Sequence, residues 1–274
     1  MSAETAGASP QAEIGLIGGS GLYTFMEHGR QVEVSTPYGP PSDPVTIGEV
    51  AGRQVAFLPR HGHDHRFPAH RVPYLANIWA LRSLGVRQIL APCAAGALRR
   101  TLAPGAFVVP DQLIDRTTCR RQTFYDAGAA HVSFADPYCP SGRRALLETA
   151  QQSQISAVDG GTLVVIEGPR FSTRAESQWF AAMGASLVNM TGHPEAVLAR
   201  ELALCYTCVA LVTDLDAGLS TGEEVRQADV FQVFALHTER LRALLAEVIG
   251  ALPTQRSCPC PHSLDGFALD VRLP

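Results

Sequence analysis

The sequence contains no lysine, so all 22 of its cationic side chains are arginines. This absence excludes an enzyme that forms a Schiff base through lysine. It also excludes a P-loop NTPase, whose motif requires Gly-Lys-Ser/Thr. A basic surplus is also missing, because 26 acidic residues give a net charge of −4, and binding to a nucleic-acid backbone is disfavoured. No run of 18 apolar residues occurs, so no membrane span is expected.

Nothing at the N-terminus resembles a signal peptide, because the first residues are small and polar and contain no apolar core. The seven cysteines form an odd set, which without a secretion signal indicates reduced thiols and a cytoplasmic protein. Cys205 and Cys208 have the spacing of a redox motif, but their apolar surroundings favour packing. Cys258, Cys260 and His262 could hold a metal ion, although a loose tail is the preferred interpretation.

The chain is long and apolar enough to bury a sizeable core, with 274 residues of which 46% are hydrophobic. Strands alternate with helices, including a hairpin over 45–58 and a strand over 88–91 that leads into a small-residue turn. This alternation predicts an α/β fold, in which a single domain has a mixed, largely buried β-sheet flanked by helices. The predicted limits are a flexible tail at 1–12, the domain at 13–252 and a C-terminal tail at 253–274.

Three predicted strand ends carry groups that suit an anion. Gly18-Gly-Ser-Gly21 could form an anion nest from its backbone N–H groups and the Ser20 hydroxyl, or it could be a plain tight turn. It lacks the third glycine of a dinucleotide fingerprint. Arg60 and His61 offer a planar fork and a further donor at another strand end. Thr191 could bind the same anion or simply cap the helix that follows it.

The fourth strand end, Thr213-Asp-Leu-Asp216, is acidic and follows the most hydrophobic strand. Ligands bind at the carboxyl ends of strands in such folds, and burial there raises the pKa of a carboxyl group. Asp214 could therefore donate a proton near neutrality, while a capping Asp beside a solvated Asp is the alternative. The alternation of His61, His63 and His65 allows a metal site, but no Cys or Glu completes the set, so solvated or substrate-facing histidines are favoured.

Taken together, these strand ends resemble the trimeric nucleoside phosphorylases, and specifically the 5′-methylthioadenosine phosphorylase branch. The matching strings follow the family order from about residue 13 to 250, which is nearly the whole chain. They are Ile17-Gly-Gly-Ser-Gly-Leu22, Thr36-Pro-Tyr-Gly39, Arg60-His-Gly62, Ala76-Asn-Ile-Trp-Ala-Leu81, Asp111-Gln-Leu-Ile-Asp-Arg-Thr-Thr118, Glu167-Gly-Pro-Arg-Phe-Ser172, Arg174-Ala-Glu176, Asn189-Met-Thr191, Pro194-Glu195 and Thr213-Asp-Leu-Asp216. The strings that begin at Asp111 and Glu167 are highly specific in combination.

The resemblance implies reversible phosphorolysis, in which orthophosphate attacks C1′ of the ribose and the purine leaves. Inorganic phosphate is then a co-substrate, and no metal or other cofactor is expected. The implied phosphate site consists of Ser20, Arg60, His61, Cys93, Ala94 and Thr191. Cys93 stands where the family usually has Thr or Ser, which removes a hydrogen bond worth about 1 kcal/mol.

The resemblance also implies the nucleoside contacts, which are Phe171, Ser172, Met190, Thr213, Asp214 and Asp216. Asp214 would be the catalytic residue that assists the leaving purine at N7, and Asp216 would accept from the 6-amino group. A 6-oxopurine would instead face a lone-pair clash, and relatives that cleave inosine and guanosine carry Asn at the Asp214 position. The implied 5′ pocket consists of His65, Ser172, Gln227 and Val230, with His131 from a neighbouring subunit.

The activity that the resemblance implies is cleavage of 5′-methylthioadenosine by a homotrimer or a dimer of trimers. Its partners would be a small-molecule nucleoside and phosphate, with neither nucleic acid nor membrane. Two related enzymes remain alternatives, namely a broader purine nucleoside phosphorylase and a phosphorylase of another 5′-substituted adenosine. A catalytically weak nucleoside-binding protein is a further alternative because of Cys93.

Overall fold

Strands and helices alternate along the chain in the computed structural model, which describes residues 11–19, 22, 25–26, 29–128, 130–217, 224–268 and 273–274. In these ranges the strands are β1 (Ile14–Gly18), β2 (Arg30–Val32), β3 (Val45–Val50), β4 (Arg53–Pro59), β5 (Gln88–Ala97), β6 (Phe107–Val109), β7 (Gln112–Arg116), β8 (Ala157–Asp159), β9 (Thr162–Ile166), β10 (Leu187–Asn189) and β11 (Cys205–Leu215). The α-helices are α1 (Tyr74–Ser83), α2 (Pro140–Gln152), α3 (Arg174–Ala182), α4 (Gly192–Glu201) and α5 (Gln227–Ala251). Among the described residues, no helix is both long and apolar enough to cross a membrane.

The strands form one mixed sheet that branches at β5. Its main path is β2-β3-β4-β1-β5-β10-β9-β7, while β11 pairs with both β5 and β6, and β6 also pairs with β8. The first residues of β5 pair in parallel with β1, its last residues pair antiparallel with β10, and β11 runs parallel along nearly its whole length. The predicted α/β fold with a mixed sheet is therefore confirmed.

The two faces of the sheet are buried against different pairs of helices. Successive side chains of a strand point to opposite faces, and β11 shows this directly. Cys208, Ala210 and Val212 lie in the core cluster that includes residues of α1 and α4. Val209 and Leu211 lie in the cluster that includes residues of α2 and α5. Burial on both faces explains why β11 is apolar throughout most of its length.

The hairpin predicted over 45–58 is confirmed, because β3 and β4 pair antiparallel around a turn at Ala51 and Gly52. The turn predicted after residue 91 is wrong. Residues 93–97 instead continue β5, since the parallel neighbour β11 satisfies their backbone groups. Small side chains here reflect close packing within the sheet rather than a change of direction.

The C-terminal segment packs against the domain, so the loose tail predicted from residue 253 onward is wrong for residues 253–268. Cys258 and Cys260 are only 5% and 1% exposed. Arg256 donates from Nη1 to the Ala203 carbonyl at 2.8 Å, which fixes the segment beside the start of β11. Of the predicted N-terminal tail, residues 1–10 lie outside the described residues, whereas Ala12 is buried. The domain limits at 13 and 252 remain predictions.

Candidate active site

The sheet topology brings the predicted site residues to the edges of one cavity of about 360 Å³. Strands β1, β4, β5 and β11 run parallel to one another, so the segments after β1, β4 and β11 meet on the same side. The predicted residues that line the cavity are Arg60, His61, His65, Cys93, Ala94, Phe171, Ser172, Met190, Thr191, Thr213, Asp214, Asp216, Gln227 and Val230. Ser20 lies outside the described residues, and His131 lines a different cavity of its own chain.

Arg60 is held rigidly at the end of β4 by a buried carboxylate. Its Nε donates to Glu195 Oε1 at 2.5 Å, its Nη2 donates to Glu195 Oε2 at 3.0 Å, and its Nη1 donates to the Pro92 carbonyl at 3.1 Å. The Tyr206 hydroxyl donates to the same carboxylate at 2.9 Å. Burial disfavours the charged guanidinium, but Glu195 overcomes this effect and raises the pKa of Arg60. A fixed, permanently charged fork therefore faces the cavity.

His61, the neighbour of Arg60, is a neutral ring with a defined tautomer. Its Nδ1 lies 2.8 Å from the Phe67 carbonyl oxygen, which can only accept, so Nδ1 carries the hydrogen. Burial and, secondarily, the charge of Arg60 lower the pKa of His61 to about 3. With the ring neutral, Nε2 is an acceptor, whereas the donor role predicted for this ring requires its protonated form. Nε2 can accept a hydrogen bond from a protonated phosphate oxygen.

The alternating histidines do not converge on a common point. His65 stacks on His61 with ring centroids 4.7 Å apart and an interplanar angle of 13°. His63 instead lies with Nδ1 2.8 Å from Asp43 Oδ2, and its side chain is 68% exposed. The substrate-facing interpretation fits His61 and His65, which line the cavity, and the solvated one fits His63.

The antiparallel pairing of β10 with β5 places Thr191 close to the middle of β5 rather than at its end. Asn189, the last residue of β10, donates from Nδ2 to Cys93 Sγ at 3.3 Å. Cys93 Sγ also lies 3.7 Å from Cys208 Sγ, so the thiol already has two neighbours in the core. Thr191 precedes α4 but makes no side-chain capping bond, which weakens the simple capping interpretation. Its hydroxyl can serve a ligand instead.

An irregularity in β11 aims the acidic pair into the cavity. The register of β11 on β5 shifts between Val212 and Asp214, which inserts Thr213 as an extra residue. The Thr213 hydroxyl then donates to Asp214 Oδ2 at 2.8 Å. Gly96 makes room for both carboxylates, because a Cβ built there would lie 2.9 Å from Asp214 Oδ1 and 3.3 Å from Asp216 Cβ.

Asp214 has the elevated pKa that its position after an apolar strand predicts. Burial is the main cause and raises the pKa to about 6, with a further contribution from the charge of Asp216. The hydrogen bond from Thr213 opposes the shift by stabilising the carboxylate. Asp214 can therefore hold a proton near neutral pH and donate it to a group that gains negative charge.

Asp216 is more deeply buried, at 2% exposure, and only part of it is satisfied by the protein. Burial raises its pKa, while Ser177, the Ala217 backbone and the nearby Ser172 hydroxyl lower it, although Ser172 does not reach full hydrogen-bond geometry. Within the described residues, Asp216 Oδ2 and the Ser172 hydroxyl are buried with no hydrogen-bond partner. Because an unsatisfied buried acceptor costs about 1–3 kcal/mol, this oxygen is suited to a ligand that donates an N–H.

The opposite wall of the cavity belongs to the start of α5. Gln227 and Val230 line the cavity there, as the sequence predicts, together with Phe231. The Phe231 ring meets His65 edge-on with centroids 6.0 Å apart, yet it remains 41% exposed. Burial also lowers the pKa of His65, so this wall is largely uncharged.

The sequence analysis assigns no individual role to three residues that shape the site, namely Glu195, Gly96 and Phe231. Glu195 pairs with Arg60 from 135 positions away, a contact that no local spacing can indicate. Gly96 matters only because the acidic pair of a neighbouring strand approaches it. Phe231 could have been found from the sequence, because it directly follows Val230, which is predicted to line the pocket.

Known proteins resemble this chain over nearly its whole length. A model of the phosphorylase superfamily matches residues 13–250. The chain is 55% identical to a purine nucleoside phosphorylase of Streptomyces coelicolor, with 96% of this chain and 98% of that protein covered. It is 56% identical to an S-methyl-5′-thioadenosine phosphorylase of Mycolicibacterium smegmatis, with 95% and 99% covered. It also superimposes on methylthioadenosine phosphorylase from Schistosoma mansoni in complex with adenine, with a TM-score of 0.84, 38% identity, and 87% and 91% covered.

Proposed function

The chain belongs to the phosphorylase superfamily, and from this premise we propose that it cleaves 5′-methylthioadenosine with phosphate to give adenine and 5-methylthioribose 1-phosphate. The observation that carries the proposal is a pair of carboxylates, the half-buried Asp214 and the buried Asp216, on the same cavity as Arg60. The attacking phosphate requires an anion site. The departing adenine requires a proton donor and a hydrogen-bond acceptor for its amino group. The described residues supply both.

Phosphate binds beside Arg60 in this proposal. Glu195 and Pro92 occupy three of the five guanidinium N–H groups, so two remain to bind oxyanions. Glu195 also balances the charge of Arg60. The site therefore binds phosphate through directed hydrogen bonds rather than through excess positive charge. Thr191 adds a hydroxyl, and the neutral His61 can accept the hydrogen of a monohydrogen phosphate. Phosphate is the nucleophile, so no covalent enzyme intermediate is needed.

Adenine departs toward the acidic pair. As the bond from C1′ to the purine breaks, negative charge gathers on the base, and a protonated Asp214 placed at N7 stabilises it. Asp216 Oδ2, which is buried without a protein partner, accepts from the 6-amino group. A 6-oxo group would present a lone pair to this carboxylate, so selection for adenine follows from an unfavourable contact as well as from a favourable one.

The 5′ substituent lies against Val230 and Phe231 in this proposal, and these apolar side chains suit a methylthio group. Gln227 adds a polar amide to the same wall, which could also serve a 5′-hydroxyl. A broader purine nucleoside phosphorylase is therefore the second candidate, and the name of the Streptomyces coelicolor relative favours it. The two candidates share the phosphate and base sites and differ only at this wall.

We also propose that the enzyme is cytoplasmic and assembles as a homotrimer or a dimer of trimers. The resemblance assigns His131 to the 5′ pocket of a neighbouring subunit, and in its own chain His131 lines a different cavity, which supports an oligomer. Light scattering of the purified chain tests the assembly.

A substrate panel tests the proposed activity. Release of the free base is followed with 5′-methylthioadenosine, adenosine and inosine, each with and without phosphate. We expect phosphate-dependent adenine release that is fastest with 5′-methylthioadenosine. Faster cleavage of inosine would refute the base assignment, faster cleavage of adenosine would favour the broader phosphorylase, and phosphate binding without turnover would favour a nucleoside-binding protein.

Two variants assign the base site within the same panel. Asp214→Asn is expected to lower adenine release at least tenfold, which corresponds to about 1.4 kcal/mol in the barrier, and to improve tolerance of 6-oxopurines. Asp216→Asn is expected to weaken discrimination against inosine, because an amide can donate to a 6-oxo group. Asp136→Asn changes an exposed carboxylate and serves as the matched control. Unchanged selectivity in both site variants would contradict the assignment.

A further inference from the structure

Four cysteines from three separate parts of the chain converge in a buried cluster away from the nucleoside cavity. Cys139 precedes α2, Cys205 begins β11, and Cys258 and Cys260 belong to the C-terminal segment. Their four sulfur atoms all lie within 4.8 Å of one another. The residues are between 1% and 5% exposed, so the sulfurs face each other rather than solvent.

The spacing of the sulfur atoms suits a shared metal ion. Zinc binds thiolate sulfur at about 2.3 Å, and a regular tetrahedron then separates the sulfurs by about 3.8 Å. Cys205 Sγ and Cys258 Sγ lie 3.4 Å apart, which is close to this value and well beyond the roughly 2.05 Å of a disulfide bond. All four cysteines are free thiols in the structure.

The local backbone also favours a thiolate at Cys139. Its Sγ lies at the N-terminus of α2 and accepts a hydrogen bond from the Gly142 backbone N–H at 3.5 Å. Helix N-termini carry partial positive charge and stabilise thiolates. Hydrogen bonds from backbone N–H groups to the sulfur are typical of metal-bound cysteines, because they offset the negative charge that four thiolates accumulate.

We propose that Cys139, Cys205, Cys258 and Cys260 bind one structural zinc ion. An all-sulfur, four-ligand set selects a soft tetrahedral metal, and a closed set leaves no position for a substrate. Binding converts four thiols and Zn²⁺ into a tetrathiolate complex and releases four protons to solvent. The ligand set differs from the one that the sequence indicated, because His262 lies 2.9 Å from Asp265 on the surface.

The ion would fasten the C-terminal segment to the domain. Cys258 and Cys260 are separated by a single proline, a shorter spacing than the usual two to four residues, and Cys260 begins a short 3-10 turn that ends at His262. The neighbouring Ser263 hydroxyl donates to the Arg200 carbonyl at 2.7 Å, so the segment is held on both sides of the cluster. Zinc would thus stabilise the first residue of the strand that carries Asp214 near its other end.

The test begins with the 274-residue chain as purified under reducing conditions. We expect one zinc ion per chain by elemental analysis, and seven titratable thiols once the chain is unfolded with a chelator present. Protein that holds no zinc is titrated with zinc chloride and is expected to take up one equivalent. Failure to take it up, or a count of three thiols that indicates two disulfides, would overturn the proposal.

Variants then locate the ion. Cys258→Ser combined with Cys260→Ser removes two ligands and should abolish stoichiometric zinc. Cys208→Ala removes a buried thiol from the same strand as Cys205 and should retain it. Chelation should lower the melting temperature of the native protein but not that of the double variant. Retention of one tightly bound zinc by the double variant would refute the site, and if that variant fails to fold, the measurements on the native chain decide.

Discussion

Replacing Asp214 with Asn should stabilise the protein in a pH-dependent way, because the native carboxyl is held in surroundings that disfavour its ionised form. Its pKa is raised from 3.8 to about 6 by burial above all. A raised folded-state pKa means that stability is fully present below the unfolded pKa and is lost as pH rises through the folded one. Asn does not ionise, so the variant escapes this loss.

The expected magnitude follows from the size of the shift. A difference of about two pKa units is worth about 3 kcal/mol, all of which is lost by pH 8. At pH 5 the loss is only about 1.6 kcal/mol, since the folded carboxyl is still mostly protonated there. The stability of Asp214→Asn relative to the native protein should therefore rise by about 1.4 kcal/mol between pH 5 and pH 8.

Urea denaturation at the two pH values measures this difference. Protein concentration is held constant, because subunit association would shift the apparent stability. Asp136→Asn, which changes an exposed carboxylate, should show no comparable pH-dependent gain. A stability difference between Asp214→Asn and the native protein that stays constant from pH 5 to pH 8 would refute the buried proton donor.

Other substitutions probe the remaining parts of the site. Glu195→Gln leaves Arg60 buried without its counter-ion and should lower the free energy of unfolding by about 3–5 kcal/mol in urea denaturation; a loss below about 1 kcal/mol would contradict the ion pair. Gly96→Ala places a Cβ against Asp214 and should reduce kcat/KM for adenine release at least tenfold, whereas unchanged kinetics would show that this approach is unimportant. Cys93→Thr adds a hydroxyl and should lower the KM for phosphate about fivefold, roughly 1 kcal/mol; an unchanged KM would place residue 93 away from phosphate.

Much of the fold could be predicted because burial leaves a strong pattern in this sequence. The apolar run of β11 predicts a central strand, and its abrupt acidic end predicts a carboxyl with a raised pKa; in the structure, burial raises the pKa of Asp214. The same kind of local pattern fails for β5. Its small residues resemble a turn, and only the parallel pairing with β11 shows that the strand continues through Ala97.

Contacts between distant parts of the chain set the limit of the sequence analysis. The rigidity of Arg60 depends on Glu195, which lies 135 positions away in another element. The C-terminal segment that contains Cys258 and Cys260 resembles a loose tail in the sequence, because it has no hydrophobic periodicity. Their burial depends on Cys139 and Cys205, and this convergence is a property of the three-dimensional fold.

The fate of phosphate tests the central claim most directly. Phosphorus NMR of a reaction with 5′-methylthioadenosine and orthophosphate should show a sugar 1-phosphate that appears in step with free adenine, one for one. Adenine released together with unphosphorylated methylthioribose, while orthophosphate stays unchanged, would mean that water is the nucleophile. That result would contradict a site in which Arg60 holds phosphate for attack on C1′ while Asp214 assists the departing base.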